Sequence, residues 1–118
     1  MIDDVFHRQP SMSVRGFVVW VPMARGKQTD VAGARDGRDD PRLMHFWDGD
    51  RAMMNATRGV LDIDEECWDV YLLYDRDARW DGEAPPKPAF WMHQLESQPS
   101  GPTLDAKIFL EHAQALAK

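Results

Sequence analysis

Apolar and polar positions fall in short blocks along this chain, and the period changes from block to block. In the first block Phe17, Val19 and Val21 lie on one side of an extended chain, with Val18 and Trp20 on the other. Both sides are apolar, which is the pattern of a strand covered on two faces, and Pro22 ends it. LMHFW, residues 43–47, predicts a second strand. The period then becomes helical. Met53, Ala56 and Val60 recur at helical spacing with Thr57 beside them, which predicts a helix from about 50 to 60. Asp48 or Asp50 is placed to accept hydrogen bonds from its first amides, and Gly59 lies near its end. From 68 to 74 the chain is extended again. Trp68, Val70, Leu72 and Tyr74 share one face, and Tyr71 and Leu73 line the other. AFWMHQL, residues 89–95, predicts a strand antiparallel to it across a long hairpin. Thr103 is placed to cap a last helix with an apolar stripe of Leu104, Ile108, Phe109, Ala113 and Leu116.

Between these blocks the chain is polar. Residues 1–15 read as an N-terminal arm, ordered only if something holds it. Residues 25–42 read as a loop, with at most a short helix capped by Thr29 or Asp30 and weakened by Gly33 and Gly37. DIDEE, 62–66, is an acidic connection. DRDARWDGEAPPKP, 75–88, is turn chemistry, and SQPSGPT, 97–103, is a loop. Strands mixed with crossover helices predict one α/β domain over 16–118 behind the arm.

Composition narrows the classes of function. A chain of 118 residues with a net charge of −6 and no basic stripe is unsuited to nucleic acid. The longest apolar run is too short for a membrane span. A single cysteine forms no internal disulfide, and the acidic start Met1-Ile2-Asp3-Asp4 is not a secretory leader, so the expected location is cytoplasmic.

The stretches FVVWVP, HFWDGDRAMM, WDVYLLYD, FWMHQL and the helix from Thr103 together resemble the later part of a thioredoxin-like domain of the peroxiredoxin and cytochrome-biogenesis type. More narrowly, VVWVPM, DPRLMHFWDGD and WDVYLLYDRDARW are similar to a group of bacterial thioredoxin-like proteins of unassigned role. The resemblance implies a mixed sheet of four or five strands flanked by helices, its N-terminal part truncated or rearranged. The family's redox site is missing from the sequence. There is no C-x-x-C, and EECWDVYLL has no proline where the family places its cis proline. The resemblance therefore implies a redox-inactive module with no cofactor, binding a small ligand or a protein partner. Residues 1–15 are too few to supply the family's first strand and cysteine-bearing helix. Apolar faces left open at the middle of the sheet predict a homodimer, with exchanged elements as one form of it.

Candidate chemistry is sparse. Cys67 is flanked by Glu65, Glu66 and Asp69, which oppose a thiolate, so it reads as structural. Asp75, Asp77, Asp81 and Glu83 suggest a calcium loop. Arg79, Trp80 and Pro86 stand where such a loop needs oxygen, glycine and its closing glutamate, so no metal site is expected. His45 and His93 fall in strands and could meet. His45 with Asp48 or Asp50 could form an oriented base, which makes a non-thiol enzyme the alternative function. Of five tryptophans, Trp20 and Trp68 read as core. Trp47, Trp80 and Trp91 could instead line an acid-rimmed aromatic cleft for a cationic or apolar small molecule. Trp80 could also simply anchor its own loop on Pro85, Pro86 and Pro88. No phosphate-binding glycine loop, G-x-S-x-G or H-E-x-x-H is present.

Overall fold

The computed structural model describes residues 3–21, 40–63, 69–82, 84–95 and 101–117. The chain is mixed α/β. One π-helical turn, Asp3–His7, precedes strand β1 (Gly16–Trp20), β2 (Leu43–Trp47), helix α1 (Ala52–Leu61), β3 (Val70–Leu73), β4 (Phe90–His93) and helix α2 (Ala106–Leu116). The short helix considered between 25 and 42 falls largely outside the described residues, as do Cys67, Trp68 and the acids at 64–66.

One sheet of four or five strands was expected. Among the described residues the strands instead form two pairs: β1 with β2, parallel, and β3 with β4, antiparallel. An open edge of β4 is taken by the chain entering α2. The His93 amide donates to Pro102 O at 3.1 Å, and the Leu104 amide donates to His93 O at 2.7 Å. That bridge, His93 to Thr103, uses the backbone groups that another strand would have paired with. It also diverts Thr103 from capping α2. The cap is Asp105, whose carboxylate accepts from the amides of Lys107 and Ile108 at 3.0 and 3.1 Å. At α1 both candidate aspartates serve. Asp48 Oδ2 accepts from the Met54 amide at 3.0 Å, and Asp50 Oδ1 from the Ala52 amide at 3.2 Å. The face α1 buries is centred on Met54 and Thr57, a step round the helix from the stripe of Met53, Ala56 and Val60.

The β3–β4 pair is covered on both faces, as its pattern implies. Tyr71, Leu73, Phe90 and Met92 face a core of Val5, Phe6 and Phe109. Val70 and Trp91 face a second core of Met54, Ile63 and Leu95. Burial raises the pKa of both tyrosine hydroxyls; a hydrogen bond to Asp69 at 2.7 Å adds to this at Tyr71. The β1–β2 pair departs from its pattern. Gly16, Val18 and Trp20 share a face with Leu43, His45 and Trp47, and Leu43 packs on the first core. The opposite face carries Phe17, Met44 and Phe46, which stay 60%, 49% and 47% exposed. Two-sided apolarity there does not correspond to two-sided burial.

The arm is held, and Arg42 is what holds it. Its guanidinium donates to Phe6 O at 2.8 Å, to Gln9 O at 2.9 Å and to Met12 O at 2.8 Å, and lies over the Phe6 ring. Asp40 orients it through a two-pronged pair at 2.9 and 3.0 Å. Arg42 in turn holds the Asp40 carboxyl down to about 2, first through its side chain and then through its amide. A carboxyl whose pKa is depressed on folding stabilises the fold above its unfolded value. That contribution is lost as pH falls through the folded value. Urea midpoints measured from pH 5 downward are therefore expected to decline between about pH 4 and about pH 2. Asp40→Asn should flatten part of that decline; an unaltered slope in the variant would count against the assignment.

Candidate functional site

Open α/β sheets place ligands at the carboxyl ends of parallel strands, where the chain leaves the sheet and a helix start points back toward it. Here that edge is the end of β1 and β2 and the entry to α1. It gathers His45, Trp47 and Asp48, three of the residues singled out from the sequence, together with Trp20. The Asp48 amide joins the edge to β1 by donating to Trp20 O at 2.7 Å. The turn that follows closes with the Arg51 amide donating to Asp48 O at 3.1 Å, and puts Arg51 at φ 61°. A left-handed backbone at a non-glycine residue costs about 1–2 kcal/mol, a local strain at this edge. Trp47 lies against Gly49, where a Cβ would come within 2.8 Å of the indole nitrogen.

The two strand histidines belong to different strand pairs. His45 belongs to the parallel pair and His93 to the antiparallel one. Each has its Nδ1 committed as an acceptor. The Trp20 indole N–H donates to His45 Nδ1 at 3.0 Å, with the rings stacked at 6.0 Å. The Leu95 amide donates to His93 Nδ1 at 3.1 Å. A neutral imidazole that accepts at Nδ1 carries its proton on Nε2. His93 Nε2 therefore donates to Gly101 O at 3.2 Å, and His45 Nε2 is withdrawn from solvent. Neither ring keeps a lone pair available to take a proton from a substrate. Asp48 is engaged with the start of α1, so this geometry does not assemble the His–Asp base considered from the sequence.

The three candidate tryptophans sit in three different settings. Trp47 lies at the end of β2, while Trp91 packs in the second core against Gly101. Trp80 is half exposed in the hairpin, its indole N–H turned to Gly82 O. No ring contact joins any two of the three among the described residues. The hairpin is pinned by Tyr74, whose hydroxyl donates to Pro86 O at 3.0 Å. Two open hollows lie away from the three tryptophans. One of about 510 Å³ runs between residues 9–13 and the end of α2, and one of about 360 Å³ lies beside Tyr74, Asp75 and Pro86. Neither is lined by Trp47, Trp80, Trp91, His45, His93 or Asp48, though Asp75 and Asp77 of the acidic turn line the second.

Three features escaped the sequence reading. Trp20 was assigned to the core, yet it fixes the His45 ring. Arg42 falls in the stretch read as a loop, and the carbonyls it holds are 30 to 36 positions away. The exposed row Phe17, Met44 and Phe46 carries the same apolar signal as a buried one; the strand register is what puts these side chains side by side.

Among the described residues no helix is long and apolar enough to cross a membrane, and no three His, Cys, Asp or Glu side chains converge as a metal site requires. No protein-family model, curated protein or solved structure matches the chain.

Proposed function

We propose that this chain is a redox-inactive, thioredoxin-like module of the cytoplasm that works by binding, and that its ligand is a protein docked on the outer face of the β1–β2 pair. One observation carries the proposal. Phe17, Met44 and Phe46 stand at adjacent register positions, about half exposed or more, and the Phe17 and Phe46 rings are 6.1 Å apart. Large apolar side chains grouped on a surface are a feature of interaction sites, whereas scattered ones are ordinary. The rest of the chain is acidic, with a net charge of −6. The fitting partner has an apolar patch set in a basic rim, so that charge steers the encounter and apolar contact holds it. The committed rings of His45 and His93 favour this reading over the enzyme alternative.

Because these side chains are already about half in solvent, removing them should disturb binding far more than folding. The double variant Phe17→Ser/Phe46→Ser is expected to bind an apolar fluorescent dye at least tenfold more weakly than the native chain. Its unfolding free energy should fall by no more than about 2 kcal/mol, the loss of strand propensity and of one cross-strand ring pair. A large loss of stability would mean that the face is part of the core, and unchanged dye binding would mean that it is not an apolar binding surface.

A further inference from the structure

Residues 3–12 are attached to the body mainly by side chains. Val5 and Phe6, 3% and 7% exposed, fill an apolar seat formed with Met92 and Phe109, with Leu43 and Leu104 packed beside it. Among the described residues, the backbone hydrogen bonds of this segment run inside it: the Gln9 amide donates to Phe6 O and the Met12 amide to Gln9 O, both at 3.1 Å. The first ladder bond to the body comes later, from the Gly16 amide to Arg42 O. The Arg42 guanidinium supplies the polar link across the seat, reading the carbonyls of Phe6, Gln9 and Met12, every third residue. Ser13, Val14 and Arg15 then lead to Gly16. The seated segment crowds Gly16: a Cβ there would come within 2.6 Å of the tips of the Phe6 and Leu43 side chains, which would have to shift.

We propose that residues 3–12 are an exchangeable latch: the segment leaves its seat as a unit, and the seat then accepts the same segment from a second copy of this chain. Opening breaks no strand ladder, which is the condition for a local transition that leaves the rest of a fold standing. The seat is selective in two ways. Its apolar wall takes an adjacent valine and phenylalanine, and its guanidinium takes carbonyls presented at a three-residue repeat. Another copy of this chain offers both together. In a single copy the short tether keeps the segment at an effective concentration in the millimolar range, so the closed form dominates in dilute solution. Exchange then gives a dimer with the same contacts, made between chains. The latch uses residues separate from the outer face of β1–β2, so either idea can fail without the other.

The test uses a fluorescent peptide of residues 1–15 titrated into the full chain and into its full-length Phe6→Ser variant, whose own latch is weakened and whose seat is otherwise intact. The peptide is expected to bind the variant at least tenfold more tightly than the native chain. A peptide carrying Phe6→Ser should not bind, and adding Arg42→Gln to the chain should weaken binding about tenfold. No binding to a folded Phe6→Ser chain overturns the proposal, and so does equal binding of the two peptides. If that variant does not fold, the native chain decides. Saturating peptide must speed hydrogen exchange of the chain's own Gln9 and Met12 amides by displacing the latch; exchange that the peptide leaves unchanged overturns it.

Discussion

His93→Ala is expected to destabilise the chain by about 3–5 kcal/mol, more than a surface histidine would cost. His93 is 1% exposed, and its ring joins two parts of the backbone. Nδ1 accepts from the Leu95 amide and Nε2 donates to Gly101 O, so truncation leaves the buried Leu95 donor without its partner, whereas Gly101 O, on an exposed residue, can turn to water. The buried unpaired donor costs about 1–3 kcal/mol, and the vacated ring volume adds a cavity term of similar size. The loss extends to Gly101, which adopts φ 76° and lies so close to Trp91 that a Cβ would come within 2.5 Å of the ring. His93→Asn provides the graded control. Its amide oxygen can stand where Nδ1 stood and keep the Leu95 bond, while the bond to Gly101 is lost. Chemical unfolding should therefore place it between the native chain and His93→Ala. Equal stability of all three proteins would show that the ring is not a structural tie.

The second large effect is expected at Phe109. This side chain on α2 is buried in the first core with Val5, Phe6 and Met92, and meets the Tyr71 ring edge-on at 6.2 Å. Phe→Ala at a site of this kind costs about 3–5 kcal/mol, through lost transfer energy and the cavity left behind. Phe109→Leu retains most of the volume and should cost less than half as much. Both are read from urea unfolding curves. The neighbouring Ile108 is 41% exposed, so Ile108→Ala serves as the internal control, with an expected change within about 0.5 kcal/mol. If the two alanine variants gave similar losses, α2 would present a different face to the core.

Local chemistry made the elements legible. Apolar runs placed all four described strands, with alternating faces read in the first and third, and the change to helical spacing placed both helices. The hairpin pairing of β3 with β4 followed from two apolar runs around a proline-rich turn. Relations between distant residues were not legible. Asp105, not Thr103, caps α2 because Thr103 is drawn to β4 by the bridge to His93, a contact that no local window contains. The single larger sheet was inferred from resemblance, and the occupied edge of β4 gives the physical reason why the described strands pair otherwise. Histidines in strands raised the prospect of catalysis. Their roles became clear only once the donors to Nδ1 were known, because an imidazole's capacity as a base depends on which nitrogen is already engaged. The outer face of β1–β2 shows the same limit in reverse. Apolar residues announce burial, and the sequence does not distinguish burial in the chain's own core from burial against a partner.

The central claim is that this chain acts through contact at that face. The most direct measurement places a photo-crosslinking residue at position 46 of the otherwise native chain, with a second version at exposed Glu111 on α2 as control, and irradiates each in an extract of its source cells. The account predicts one discrete protein adduct at position 46, weakened by raised salt and by Phe17→Ser, and absent at position 111. No adduct at 46, the same spread of adducts at both positions, or an adduct that neither salt nor Phe17→Ser diminishes would contradict it.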